Sequence, residues 1–295
     1  MLKKNVGILG IGAIGSVISI LLKDNKNLEL GYFNRSVRKV VKIKRADVAI
    51  DMPIRCHTSV ELDNPLDWLI ICLKEYHFTK AKTWLKKLID PSTKVAVIRN
   101  GLQLKEPILP FTTAGQILEC MIDCPTQPGK DGYYQQFYPP TITVTKGDLA
   151  TSFLELFHNL EVTFKFATDF NTENWKKVCE SSALGAILCL TGETCWIFKD
   201  EKVKKLYQTI LEEAVAVAKA DGANIEPSFV ADMLVKLMTY APTKGSSMLT
   251  DKKNGHPIEL GAKNGVISKI ALDYGIATPV NDLICVLLSK TNSFS

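Results

Sequence analysis

The spacing of three glycines, Gly10, Gly12 and Gly15 in "GIGAIG", is that of a phosphate-binding turn. A short apolar run, Asn5 to Leu9, precedes it. After it, from about Ala13 to Lys23, Ile14, Val17, Ile18, Leu21 and Leu22 recur at helical spacing. In a strand–turn–helix of this kind each glycine has its own task. Gly10 allows the tight turn, Gly12 lets backbone approach a pyrophosphate, and Gly15 lets helix and strand pack closely. Residues Gly10, Ile11, Gly12, Ala13, Ile14 and Gly15 then hold the cofactor through backbone at a helix start, where the helix dipole favours an anion. About twenty residues on, a site for NAD would carry an acid for the ribose hydroxyl. This chain has Asn34-Arg35-Ser36 instead. Arginine suits a 2′-phosphate, so the pattern predicts NADPH with Arg35 on that phosphate.

The same stretch invites a second reading. Behind Met1-Leu2-Lys3-Lys4, the uncharged run from Val6 to Leu22 has the look of an export signal or membrane anchor. It contains four glycines and leads into Lys23-Asp24-Asn25-Lys26 without a small-x-small cleavage site. It also falls short of the roughly 18 apolar residues that span a bilayer. A cytoplasmic protein that engages no membrane is expected.

Composition narrows the classes further. The 295 residues are 46% hydrophobic and 23% charged, with a formal charge of +5. The basic cluster Arg38, Lys39, Lys42, Lys44 and Arg45 is short and broken by apolar residues, so it reads as a solvated face rather than a nucleic-acid surface. Most of the eight cysteines lie in apolar runs, where a free thiol behaves as a small hydrophobe. Cys120 and Cys124 lack the C-x-x-C spacing of a zinc site, so no metal and a reducing compartment are expected.

The elements that must position these residues follow from periodicity. "DWLIICLK" (67–74) and "KVAVIRNG" (94–101) are β-rich runs flanking a helix from about Thr79 to Leu88, an alternation that indicates a doubly wound α/β sheet. "GQILECMID", "TITVTKG" and "VTFKFATD" add strands. From about Asn171 the chain reads as helix after helix, the last from about Pro257 to Ser289 with an interruption near Gly275. The expected fold class is therefore α/β, with a Rossmann-type dinucleotide-binding domain over 1–167 and an all-helical substrate and catalytic domain over 168–295. Small substrates favour the cleft between two such domains.

"GIGAIG", "CLKEYH", "IRNGL", "NWKKV", "SSMLTD", "GHPIELGAKNGVI" and "DYGIATPVN" occur in this order along nearly the whole chain. Their order and spacing resemble the ketopantoate reductases (2-dehydropantoate 2-reductases). The resemblance implies NADPH-dependent reduction of ketopantoate to pantoate, a precursor of pantothenate and coenzyme A. The family's general acid, a lysine in a tryptophan-x-lysine context, falls on Lys177. A cation there can stabilise charge on the ketone oxygen and supply its proton. Lys176, its neighbour, reads as solvated. Asn100 falls on a family asparagine that meets the nicotinamide ribose or substrate, and Lys74 on a residue near the cofactor's phosphate end. Glu259 falls on the cleft glutamate, and Ser247 on the serine that binds the substrate carboxylate. Read locally, Pro257 also suits a first helical position, which would make Glu259 a third-position residue. Asn264 looks architectural.

Relatives carry two asparagines one helical turn apart after the lysine, where this chain has Ser181 and Gly185. Serine can keep one substrate hydrogen bond, whereas glycine keeps none. His77 replaces a common glutamine, and "CPTQPGKDGYYQQFYPP" is a tyrosine-rich departure. Two alternatives to ketopantoate reduction stay open: a family paralogue acting on a different small 2-oxo acid, and a non-catalytic NADPH-binding sensor. Helical second domains of this kind can pair as a homodimer or stand alone.

Overall fold

Strand β1 (Lys4–Leu9) is buried from Val6 to Leu9 because it lies inside a sheet covered on both faces. The computed structural model describes residues 3–59, 64–157 and 161–291. The chain divides into two compact units, Met1–Phe170 and Asn171–Ser295.

In the first unit β1 leads to α1 (Ala13–Leu22), β2 (Leu28–Phe33), β3 (Val40–Arg45), β4 (Val48–Pro53) and β5 (Cys56–His57). Then come β6 (Trp68–Ile71), α2 (Phe78–Leu88), β7 (Lys94–Ile98) and β8 (Ile117–Asp123). The unit closes with β9 (Thr126–Pro128), β10 (Tyr134–Gln136), β11 (Thr141–Thr145), α3 (Asp148–Leu154) and β12 (Thr163–Ala167). The main sheet runs β12-β11-β8-β7-β6-β1-β2-β5. From β5 to β8 its strands are parallel, in the 3-2-1-4-5-6 order of a dinucleotide-binding sheet. The expected later strands are present, but β11 runs antiparallel to β8 and carries β12 with it, so the sheet is mixed. Alternate residues serve opposite faces. Ile8 joins Ile18, Leu21 and Phe153 on the α1 and α3 side, while Leu9 joins Phe78, Ala81, Leu85 and Leu88 of α2.

A second sheet, β4-β3-β10-β9, joins two segments whose pairing periodicity alone does not show. Residues 40–45 of the basic cluster form a hairpin with β4, with Val41 and Ile43 fully buried in the α1-side core and Lys42 and Lys44 on the opposite face. The tyrosine-rich segment supplies β9 and β10, and β10 pairs in parallel with β3. Lys42 and Lys44 lie 5.2 and 5.5 Å from the centre of the Tyr133 ring, whose hydroxyl donates to Asp51 at 2.6 Å. Arg38 donates to the Tyr134 hydroxyl at 3.2 Å and Lys44 to Asp131 at 2.6 Å.

The second unit is helical: α4 (Phe170–Thr191, starting at the junction), α5 (Glu201–Ala220), α6 (Phe229–Thr239), α7 (Ser247–Lys253), α8 (Asn264–Tyr274) and α9 (Pro279–Thr291). The helix expected from Pro257 does not form. Residues 256–260 are irregular, and α8 begins only at Asn264, after a turn in which Leu260 O accepts from Lys263 N and Gly265 N. Glu259 is therefore a loop residue rather than a third helical position. Gly275, at φ 65°, ends α8 in the left-handed conformation that glycine tolerates, and Pro279 opens α9. Asn264 is architectural: its amide donates to Asn281 Oδ1 at 2.9 Å, and the Asn281 amide donates to Glu213 at 2.9 Å, tying α8, α9 and α5. No described helix is long and apolar enough to cross a membrane.

Candidate active site

The parallel strands bring the first group of site residues to one edge. The glycine turn follows β1, Arg35 follows β2, Lys74 follows β6 and Asn100 follows β7. These four strands are neighbours in the order β2-β1-β6-β7, so their carboxyl ends line up. Ligands of open α/β sheets bind along that edge, at the point where strand order reverses.

The turn itself is built by the absence of side chains. Gly10 has φ 95°, and its N–H donates to Phe33 O at 2.9 Å. A β-carbon on Gly15 would lie 1.9 Å from Gly10 O, so only glycine lets α1 start this close to the turn. Gly12 is different: it is extended, and a β-carbon there would have no neighbour within 4 Å. The first intrahelical bond is Ser16 N to Gly12 O, and no side chain caps α1. The opening N–H groups of the helix thus face the space that Gly12 leaves, with no acid in the first turn to repel an anion. This cradle fits a pyrophosphate.

Asn34, to which spacing alone assigns no role, locks the turn to the arginine loop. Its Oδ1 accepts from Ile11 N at 3.3 Å, and its amide donates to Ser36 O at 2.9 Å and Ser36 Oγ at 3.1 Å. Arg35 itself is exposed. Burial holds His77 below the ordinary imidazole value, and the charges of Arg35, Lys74 and Lys80 push it in the same direction. Three cations therefore act on one histidine beyond β2 and β6. Lys80 was also missed, although positions 74, 77 and 80 follow one another at helical spacing.

Asn100 is exposed on a loop held from behind by Arg99. The Arg99 guanidinium is buried, donates to Leu102 O and Gln103 O at 3.1 Å, and lies 5.6 Å from the centre of the Phe78 ring. Gly101, at φ 113°, makes the sharp turn after Asn100.

The second group lies in the helical unit. On α4, Trp175 is fully buried and its indole N–H donates to Asp221 Oδ2 at 2.8 Å. Asp221 also accepts from the Tyr274 hydroxyl at 3.1 Å. Lys176, expected to be solvated, lies at the surface and pairs with Glu226 at 2.8 Å, which raises its pKa. Lys177 is half-buried, one residue further round the helix. Ser181 and Gly185 follow at i+4 and i+8 on the same stripe, and Ser181 Oγ bonds back to Val178 O at 3.4 Å.

Gly185 is buried against other elements. A β-carbon there would lie 2.9 Å from Met248 Sδ and 3.5 Å from Lys263 Nζ. Lys263 Nζ donates to Ser247 Oγ at 3.2 Å. Ser247 opens α7, whose cap is Ser246, with Oγ accepting from Leu249 N at 3.2 Å. Gly185, Ser247 and Lys263 are thus brought together within one unit, with Ser181 one turn earlier on α4, while Glu259 lies half-buried on the α7–α8 loop. Lys263 was not foreseen, because nothing local in the sequence connects it to Gly185.

The thiols offer no nucleophile to this site. All eight cysteines are free, and burial raises Cys72, Cys120 and Cys179 well above the usual thiol range. Among the described residues no group of three or more histidines, cysteines or carboxylates is arranged to hold a metal.

Residues 6–148 match the model of the family "Ketopantoate reductase PanE/ApbA", and residues 169–292 match "Ketopantoate reductase PanE/ApbA C terminal". A 2-dehydropantoate 2-reductase of Mycobacterium tuberculosis (strain CDC 1551 / Oshkosh) is 30% identical over 97% of each chain. The chain belongs to the ketopantoate reductase family. A 2-dehydropantoate 2-reductase of Caulobacter vibrioides is 28% identical, over 97% of this chain and 98% of its own. The fold matches that of a dimeric ketopantoate reductase from Staphylococcus aureus, with TM-score 0.87 and 21% identity over 98% of this chain and 99% of that one. It also matches a D-mandelate dehydrogenase solved with NADH and anilino(oxo)acetate, with TM-score 0.87 and 19% identity over 98% of both chains.

Proposed function

We propose that the protein reduces 2-dehydropantoate (ketopantoate) to pantoate with NADPH, in the cytoplasm, as a step towards pantothenate and coenzyme A. The observation that carries this reading is the alignment of the glycine turn, Arg35, Lys74 and Asn100 along one carboxyl edge of four adjacent parallel strands. The Mycobacterium tuberculosis and Caulobacter vibrioides relatives support the substrate class.

In this reading residues 1–167 form the NADP domain and residues 168–295 the substrate and catalytic domain. The turn Gly10, Ile11, Gly12, Ala13, Ile14 and Gly15 cradles the pyrophosphate against the N–H groups at the start of α1, Arg35 meets the 2′-phosphate, and Lys74 lies towards the cofactor's phosphate end. When bound, NADPH supplies the hydride for the ketone carbon. Lys177 donates a proton to the ketone oxygen as negative charge grows there. Glu259 accepts a hydrogen bond from a hydroxyl of substrate or cofactor. Asn100 orients the nicotinamide ribose or substrate, Ser181 offers one substrate hydrogen bond, and Ser247 meets the carboxylate. The burial of Trp175 and its bond to Asp221 fix the rotation of α4, and so the direction in which Lys177 emerges. A homodimer is the proposed assembly, supported by the dimeric Staphylococcus aureus neighbour.

A second reading, a reductase of a different small 2-oxo acid, is favoured by Gly185. That position offers no amide, and its surroundings are taken by Met248 and the Lys263 ammonium. Rates of NADPH oxidation with ketopantoate and with a panel of other 2-oxo acids decide between them. The first reading expects ketopantoate to lead by a wide margin; a different acid in the lead would establish the second.

A further inference from the structure

We infer that Lys263 is a specificity-determining residue that places a positive charge at the carboxylate end of the substrate site. The inference rests on the proposed reading of Ser247 as the carboxylate's partner and extends it to a residue of different chemistry. Three observations carry it. Lys263 is only 7% exposed, so its ammonium sits inside the helical unit rather than on its surface. It donates to Ser247 Oγ at 3.2 Å, which brings a full charge beside that hydroxyl. It lies 3.5 Å from where a β-carbon on residue 185 would be, at the end of the stripe that begins with Lys177 and Ser181.

These facts explain each other. A side chain at 185 would press on Met248 Sδ, only 2.9 Å from its β-carbon, and crowd the Lys263 ammonium. Glycine removes the donor expected from α4, and the ammonium brings a stronger one from the α7–α8 connection. A charged donor pairs with a carboxylate roughly twice as strongly as a neutral one. Asp251 and Lys252 also face this region, since they and Lys263 act together on the Cys189 thiol. The chemistry selected is a free carboxylate, in preference to an ester or amide of the same carbon skeleton.

The test compares 2-oxo acids, ketopantoate among them, with their methyl esters. NADPH oxidation, and calorimetric binding to the protein loaded with the oxidised cofactor NADP⁺, are measured for wild type, Lys263→Gln, Lys263→Met and Lys263→Arg. Thermal melts identify any variant that has lost its fold, and Lys263→Gln keeps polarity where Lys263→Met does not. The expected result is that removing the charge lowers kcat/KM for the acids roughly ten- to a hundred-fold, mainly through KM. The acid-to-ester ratio shrinks, and Lys263→Arg restores much of it. Turnover with an unchanged acid-to-ester ratio in Lys263→Gln overturns the Lys263 assignment and leaves the proposed function intact. Acid binding that depends on Lys263, without turnover of any acid, overturns the function and leaves the assignment. Absence of acid binding in wild type overturns the assignment.

Discussion

Gly15 and Gly10 touch so closely that a β-carbon on Gly15 would stand 1.9 Å from the Gly10 carbonyl oxygen. Gly12, between them in the same turn, has open space where its side chain would be. One motif therefore contains a glycine needed for folding and another left over for a ligand. Gly15→Ala forces backbone apart and should cost at least the ~1–3 kcal/mol of an overpacked core. Gly12→Ala should leave the melting temperature of the ligand-free protein nearly unchanged. It should weaken NADPH binding by about tenfold or more, equal to about 1.4 kcal/mol. Thermal melts and NADPH titrations of both variants separate the two effects.

Arg35→Ala should weaken NADPH by roughly ten- to a hundred-fold, the weight of one charge-assisted contact, while NADH binding changes little. Binding isotherms for both dinucleotides check this. Equal losses for NADPH and NADH would place Arg35 away from the 2′-phosphate.

His77 links that region to pH. Its folded-state pKa is held below the ordinary 6.5 by burial and then by Arg35, Lys74 and Lys80, so the unfolded chain binds its proton more readily. Its contribution makes stability rise with pH through the window from the folded value up to about 6.5, and level off above. An anion among these cations should raise the His77 pKa, so NADPH binding should take up protons in the same window. Denaturation and NADPH titrations across pH 5 to 8 should show both slopes, and His77→Gln should flatten them.

Trp175→Phe removes the donor to Asp221 Oδ2 and leaves a gap beside α4. The variant should lose roughly 1–3 kcal/mol of stability, from the unmet carboxylate and the lost ring. Turnover should fall while NADPH affinity holds, because the change alters the rotation of α4 and not the glycine turn. Urea unfolding, paired with kcat and an NADPH titration, distinguishes this outcome from general damage.

The parts of the fold legible in the sequence are those stabilised locally. The glycine turn, the buried runs of β6 and β7, and the long apolar stripes of α4, α5 and α6 each declare themselves within a dozen or two residues. The small sheet does not. Its β9 and β10 have three residues each, and Arg45 meets Gln136 across a separation of 91 residues. A basic cluster and a tyrosine-rich segment thus appear unrelated until they pair. Pro257 misled for a related reason: proline suits a helix start, but here the chain runs irregularly to Leu260 before turning into α8. The roles proposed for Lys177, Ser247 and Glu259 rest on resemblance in motif order along the chain and not on local pattern. Lys263 was out of reach, because the space left by Gly185 is filled from two other elements.

Loss of NADPH absorbance with purified protein and ketopantoate tests the central claim most directly, run beside NADH and beside Lys177→Ala. The account predicts turnover that prefers NADPH and falls by about two to four orders of magnitude without the lysine, the scale of a lost general acid. Undiminished turnover in Lys177→Ala, or NADPH binding with no reduction of ketopantoate, would contradict it.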